Sequence, residues 1–319
     1  MKRTLIRLLC LAAFAAALTG AVCLALNMQK MWANCAACSI APSTGDELAL
    51  LDALYPGAEW TAYTQDAASL SVTNEALPAR SAQVQELSFL GAPSRIAFFP
   101  LVSGRLPRQG ESGVCALDAE SAWALFRSTD ANGDRVHVNG DPLLVVGVLD
   151  VGCPLLMVPA AQDARFDRLA ASSREELEAL ASALGEETDP FELSGLEIAR
   201  VALLLCVFPV VLRIASALGA LRRRGGWRRE AANLLLWALF AGVVLAILWC
   251  VPVRLLPARW SDLGFYAELL DSFRARGLRL PDARDLLLQS GLARVGILCL
   301  AACAAFWIER KCLKCEKPS

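Results

Sequence analysis

Residues 222–253 read RRRGGWRREAANLLLWALFAGVVLAILWCVPV, and this stretch decides the fold class. Arg222, Arg223, Arg224, Arg228 and Arg229 crowd its first eight residues, and nothing from Ala231 to Val253 is charged. A helix over 231–253 is about 34 Å long at ~1.5 Å per residue, enough to cross a hydrocarbon core of ~30 Å. The stretch therefore predicts a transmembrane helix. Arginines packed against one end of a span stay in the cytoplasm, so 222–229 is expected inside and 251–254 outside.

Composition bounds the rest. Of 319 residues 56% are hydrophobic and the formal net charge is -1, with a mean hydropathy of +0.45. The chain is too apolar for an ordinary soluble domain and too charged for a wholly embedded bundle, which fits a mixed membrane protein. Near-zero net charge gives no support for a nucleic-acid partner. There is no Walker phosphate loop, no GxGxxG after a strand and no HExxH, so no cofactor is expected. The 12 cysteines spread over apolar and mixed segments alike, unlike the disulfide framework of a small secreted domain.

Outward from the arginine stretch, three more segments are apolar enough to span. Lys2, Arg3 and Arg7 precede the uncharged run 8–26. This is a retained anchor or a signal peptide, since Thr19-Gly20-Ala21 and Cys23-Leu24-Ala25 both offer cleavage, and its length favours the anchor. Val22 before Cys23 excludes a lipoprotein site. A second span covers about 196–221, with Pro209 as a kink and Arg213 set near the inner interface or facing the bundle. A charge at the bilayer centre would cost ~2.5–3.5 kcal/mol. The last span, 291–308, has Arg294 near its outer end and Trp307 near its inner end. Between the third and fourth spans, Leu263, Tyr266, Leu270 and Phe273 recur at helical spacing. They predict an amphipathic helix over 261–277, on the outer membrane surface or beneath the outer domain. The tail 309–319 is basic, with Arg310, Lys311, Lys314 and Lys317. Basic residues at three stations put both termini in the cytoplasm of a multi-pass protein of the plasma or inner membrane, in contact with lipid.

The division expected is an N-terminal transmembrane helix over 1–27, an extracytoplasmic α+β domain over 28–195, a three-helix transmembrane domain over 196–308 and a cytoplasmic tail over 309–319. The fold class is thus a bundle of four transmembrane α-helices plus an α+β domain. In that domain Ser43 is expected to cap a helix running to Tyr55, with Asp46 and Glu47 in its first turn. Strands are expected at 60–64, 69–73, 83–90, 95–99 and 113–117. Asp118 caps a helix over 119–127, and Asn139-Gly140 turns a hairpin between 135–138 and 143–149. A strand at 155–158 follows, and Ser173 with Glu176 predicts a capping box for a helix over 174–184 closed by Gly185. Strands and helices interleave without a βαβ rhythm, hence α+β.

Candidate chemistry is sparse. Cys35 and Cys38 form a CxxC just outside the first span, which suits a structural disulfide, a pair of small residues by the membrane, or a redox pair. Redox motifs of this kind open a helix in a thioredoxin-like setting, which this sequence lacks. Cys115 and Cys153 fit buried thiols or one further disulfide. Cys312 and Cys315 have metal-ligand spacing without a second pair to close a tetrahedral site. Asp130, Asn132, Asp134 and Asp141 echo a calcium loop, but Arg135 stands where the turn glycine belongs, so a polar loop before the hairpin is the reading. His137, the one histidine, alternates with Val136 and Val138 and is expected on the surface. No nucleophile–base pair can be assembled, and the chain is not expected to be an enzyme.

Residues 98–149 resemble the periplasmic core domain of MacB-type and FtsX-like ABC transporter permeases. The resemblance rests on Val102-Ser-Gly-Arg-Leu-Pro107, on Glu111 to Cys115 leading into Leu117-Asp118 and Ala122-Trp-Ala-Leu-Phe126, and on Val136-His-Val-Asn-Gly140 running into Leu144-Val-Val-Gly-Val-Leu149. One N-terminal span, a large outer domain and three closing spans is also that family's plan. The resemblance implies a permease subunit that pairs as a homo- or heterodimer and works with a separate ABC ATPase subunit, whose closure is passed to the outer domains. It marks Gly104, Arg105, Gly140 and Gly147 as fold positions. Partner coupling then falls to Arg222, Arg223, Arg224, Arg228, Arg229 and Glu230. The chain departs from the family in its short inner loop, 221–230, where Ala217-Leu-Gly-Ala220 is the one echo of a coupling helix. Two other classes stay open: an ATPase-free membrane interaction or sensor protein, whose arginines only orient a helix, and a membrane thiol oxidoreductase using Cys35 and Cys38.

Overall fold

Among the described residues of the computed structural model, four helices are long and apolar enough to cross a membrane: Leu8–Trp32, Gly195–Arg222, Arg229–Cys250 and Ala283–Lys311. The structure describes residues 2–160, 163–186, 188, 194–223, 227–251, 263–277 and 282–314. In full the four helices are α1 (Lys2–Trp32), α5 (Gly195–Arg222), α6 (Trp227–Cys250) and α8 (Ala283–Lys314), numbered in chain order. Pro209 lies inside α5. Two differ from expectation at their N-termini. Helix α6 starts four residues before Ala231, which puts Arg228, Arg229 and Glu230 in its first turn. Helix α8 starts eight residues before Gly291, because Asp282 caps it: its Oδ1 accepts the Asp285 N–H at 2.7 Å.

The chain divides into two units. The first comprises Met1–Lys30, Glu197–Trp260 and Gln289–Ser319. Within it α1 and α8 run antiparallel. Phe14 packs with Ala302 and Ala305, Gly20 faces Leu298, and Gly291 lies so close to Met28 that a Cβ there would sit 2.9 Å from the methionine methyl carbon. Small residues at a helix–helix contact allow this approach where no hydrophobic effect drives association. Arg213 of α5 faces the bundle: its Nη1 is 3.1 Å from Glu309 Oε2, and its guanidinium lies 4.7 Å over the Phe14 ring and 5.9 Å over Phe306.

The second unit comprises Met31–Leu196 and Ser261–Leu288. Its framework is a nine-stranded sheet in the order β1-β9-β2-β3-β8-β5-β7-β4, with β6 paired to β2 and β7. The strands are β1 (Ala36–Thr44), β2 (Trp60–Asn74), β3 (Ser81–Gly91), β4 (Leu101–Gly104), β5 (Val114–Asp118), β6 (Arg135–Val138), β7 (Asp141–Leu149), β8 (Leu155–Pro159) and β9 (Arg165–Ala171). Pairs β3–β8 and β5–β7 are parallel and the others antiparallel. Helices α2 (Gly45–Leu54), α3 (Ala119–Phe126) and α4 (Arg174–Ala183) cover the sheet, and α7 (Leu263–Gly277) belongs to the same unit. Leu48 and Leu51 of α2 and Leu177 and Leu180 of α4 share one core with Phe166 and Leu169 of β9. Ala122 and Leu125 of α3 share a second with Val72, Val84, Leu117, Val145 and Leu156.

Local chemistry accounts for most boundaries. Asp118 caps α3 by accepting from Glu120 and Ser121, and Arg127 closes it in the left-handed region. Asn139 (φ 52°) and Gly140 (φ 98°) turn the β6–β7 hairpin with two successive positive φ angles. Four expectations are corrected. The N-cap of α2 is Thr44, in a reciprocal capping box with Glu47, and the Ser43 hydroxyl turns to the Ala41 carbonyl. In α4 Ser173 accepts from Glu176 N–H, but the Glu176 carboxylate bonds the Ser172 hydroxyl instead of closing the box. Segments 60–64 and 69–73 are one strand with a shifted register between Gln65 and Ser69. Residues 95–99 are not a strand: Pro93 opens a 3-10 turn, Pro93–Arg95, and pairing resumes at Leu101. Strands β1 and β9 were not anticipated.

Candidate transmission site

In the second unit, the last residue of α1, the first of α5 and the first turn of α8 meet. Trp32 is 3% exposed. A Cβ on Gly195 would lie 2.5 Å from the Trp32 ring, so only glycine lets α5 begin against the indole. From the first turn of α8 the Arg284 guanidinium stands 5.6 Å over the same ring and reaches the Cys35 carbonyl at 3.5 Å, in the turn that joins α1 to β1.

The sheet grips this turn through side chains of β2 and β9. Tyr63 and Arg168 are cross-strand neighbours, and Arg168 Nη1 lies 2.8 Å from Asp282 Oδ2. That contact is an ion pair close in distance but not aligned as a hydrogen bond. Asp282 and Arg284 are 4% and 3% exposed. The Ala283 N–H donates to Gln65 Oε1 at 2.9 Å, and Gln65 in turn donates to Gln85 at 2.7 Å. The Tyr63 side chain is fully buried. Burial first, and the Asp282 carboxylate second, push its hydroxyl well above the ordinary tyrosine range, so it stays neutral. Arg168 thus pairs with Asp282, while burial first and the Asp282 carboxylate second push the neighbouring Asp285 carboxyl up. The group holds no nucleophile next to a base; what it can do is bind elements together.

Of the residues singled out from sequence, only Cys35 belongs to this junction, through its carbonyl. Arg222 is the last residue of α5 and Arg223 follows it, both exposed; Arg229 and Glu230 are exposed in the first turn of α6. Arg224 lies outside the described residues, as do Cys315 and Lys317. Cys35 and Cys38 are both buried and not joined by a disulfide. The Cys35 thiol donates to the Ser94 carbonyl at 3.4 Å. Burial raises its pKa against the pull of Arg284 and Arg95, the opposite of what a redox cysteine needs. Burial also pushes Cys115 up to about 12 and Cys153 up to about 11, so neither is a thiolate at neutral pH. His137 sits on β6 between two buried valines, 3.9 Å from Glu75. Among the described residues no three of His, Cys, Asp or Glu come together to hold a metal. The four positions from the resemblance carry backbone geometry. Gly104 has a φ of 73°, and a Cβ there would strike the Val146 carbonyl. Gly147 faces the Arg105 carbonyl across β4–β7 just as tightly, and Gly140 supplies the hairpin turn.

Sequence reasoning missed the α8 half of the junction. The signal was present: Asp282 followed by Asp285 before an apolar run is an N-terminal capping pattern. The charges Asp282, Arg284 and Asp285 mask it, because they keep this turn out of the apolar run that marks the span over 291–308.

No protein-family model matches the sequence, and no curated protein matches it. Solved structures do. The periplasmic region of MacB from Actinobacillus actinomycetemcomitans matches with 16% identity and a TM-score of 0.40 over 51% of this chain and 89% of that one. The extracellular domain of the ABC-type transporter YknZ from Gram-positive bacteria matches with 15% identity and a TM-score of 0.39 over 49% of this chain and 96% of that one. The chain is similar to both of these domains over about half of its length.

Proposed function

We propose that the protein is a permease-like transmembrane subunit of a MacB/FtsX-type ABC transporter in the plasma (inner) membrane, which passes ATPase-driven motion to its α+β unit on the outside, for export or mechanotransmission. The observation that carries this reading is the placement of an α+β unit between the first and second membrane-length helices, with the other two following. The sequence has no phosphate loop, so ATP hydrolysis belongs to a separate ABC ATPase subunit, and two permease subunits pair around it. Helices α5 and α6 both run into the arginine stretch, from Arg222 on one side to Trp227 on the other. Coupling is therefore assigned to the helix ends themselves, through Arg222, Arg223, Arg224, Arg228, Arg229 and Glu230, in place of a separate coupling helix. The test is purification of the tagged chain from its own membranes. An ABC ATPase is expected to accompany it and to be lost when the five arginines are replaced by glutamine. A complex that survives the replacement rejects the role of the arginines, and a chain that brings no ATPase from mild detergent rejects the transporter reading in favour of an ATPase-free interaction protein.

A further inference from the structure

Three helices lead out of the α+β unit toward membrane-length segments, and within that unit their ends share one buried place. Trp32 ends α1, Gly195 opens α5 against the Trp32 ring, and Asp282 caps α8. The first N–H groups of a helix normally go to a cap or to water, and a turn held only that way frays. Here one of them, the Ala283 N–H, is tied directly to the sheet, and the cap itself faces a sheet arginine. The Asp282 carboxylate is shared, one oxygen capping Asp285 and the other against Arg168 of β9, while the Ala283 N–H goes to Gln65 of β2. On the other side of the turn, Arg284 holds the Cys35 carbonyl and covers Trp32. A turn fixed by buried charge-assisted contacts on both sides cannot shift alone, because each separated partner would be left buried and unpaired.

From this geometry, and resting on the transmission reading above, we propose that Trp32 and Asp282 are positioning residues of a joint. The joint makes the end of α1, the start of α5 and the first turn of α8 move as one body with β1 and β9. A push along any of these helices is then delivered to that edge of the sheet instead of being absorbed by a loose first turn.

Hydrogen exchange of the full chain in detergent tests the joint without any partner. The variant Asp282→Asn keeps an oxygen to cap Asp285 but removes the charge facing Arg168. Exchange is expected to quicken about tenfold or more over 283–288 and also over 165–171 and 31–37, with 141–149 in the far part of the sheet unchanged. Quickening confined to 283–288 overturns the proposal, since Asp282 is then a cap and nothing more. Equal quickening over 141–149 overturns it as well, since Asp282 then supports the whole sheet. Should that variant not fold, Arg284→Gln leaves the Asp282 cap and the Arg168 contact in place and removes the guanidinium at Cys35 and Trp32, and joint quickening over 31–37 and 283–288 is expected, against 283–288 alone if there is no joint. With an ATPase bound, exchange over 165–171 in the wild type is expected to differ between nucleotide-free and vanadate-trapped states, and Asp282→Asn to lose that difference while still hydrolysing ATP. Retention of the difference in the variant overturns the joint. Failure to find any ATPase bears on the transporter reading only, because exchange in the isolated chain decides the joint by itself.

Discussion

Gly147 shows how tightly one residue can fix a fold position. It stands on β7 opposite Gly104. The chain that leaves β4 passes over it, with the Arg105 N–H donating to the Val146 carbonyl at 2.8 Å. The Arg105 side chain then clasps Glu111 through both oxygens at 2.8 Å, and Glu111 also accepts the Arg108 N–H at 3.1 Å. Those bonds, Arg105 first, hold the Glu111 carboxyl below the usual range. The pair is exposed and shapes the loop more than it stabilises it. The backbone crossing is different, because a methyl at 147 meets the Arg105 carbonyl directly and a main-chain oxygen cannot move aside. Gly147→Ala is expected to destabilise the full chain in detergent by about 1–3 kcal/mol, read from urea unfolding by tryptophan fluorescence. An unchanged midpoint would show that the crossing has slack. The sequence marked Gly104 and Gly147 only through their resemblance to a motif. The clash that makes them glycine is between residues some forty positions apart, and no local pattern announces it.

At the scale of elements, what was legible followed from local chemistry. The hairpin at Asn139-Gly140, the cap at Asp118 and the apolar lengths of α1, α5 and α6 are written in a few adjacent residues each. Strands β1 and β9 are not. AACSIAPST is small and carries a proline, and RFDRLAA has no clean alternation, so neither announces a strand. They become strands because each pairs with the other and α2 and α4 close over them. Arg213 was legible as an anomaly, and its partner was not: Glu309 lies 96 positions on, at the other end of the chain. The pair joins α5 to α8 with Phe14 of α1 alongside, so its loss should fall on the association of these helices. Arg213→Met alone leaves Glu309 without its partner inside the bundle and is expected to cost about 3–5 kcal/mol, while Arg213→Met with Glu309→Leu recovers most of that. A double-mutant cycle on unfolding in detergent measures it. Additive losses would mean that the two residues act separately.

At the scale of the whole molecule, the second unit constrains the threading. Residues 31–196 and 261–288 form one body, so the permease reading expects both stretches on the same side of the membrane. On that reading the chain between them is expected to cross an even number of times, and α5 and α6 are each long and apolar enough to supply one crossing. One further crossing by α8 is then expected to bring Arg310 and Lys311 to the other side. Charge predicts which side is which: Arg222 ends α5 and Arg223 follows it, Arg228 and Arg229 lie in the first turn of α6, and Arg310 and Lys311 lie near the end of α8, all remote in sequence from the body. Cationic side chains at one end of the spans predict that this end is cytoplasmic. Membrane-impermeant maleimide on intact spheroplasts should therefore label Asp130→Cys and Asp271→Cys alike, and should reach Cys312 and Cys315 only after lysis. Both introduced sites are exposed in the structure, so protection there reports the membrane and not burial. If 130 and 271 were labelled from opposite sides, α5 and α6 could not both cross, and the transmission reading would lose the geometry on which it depends.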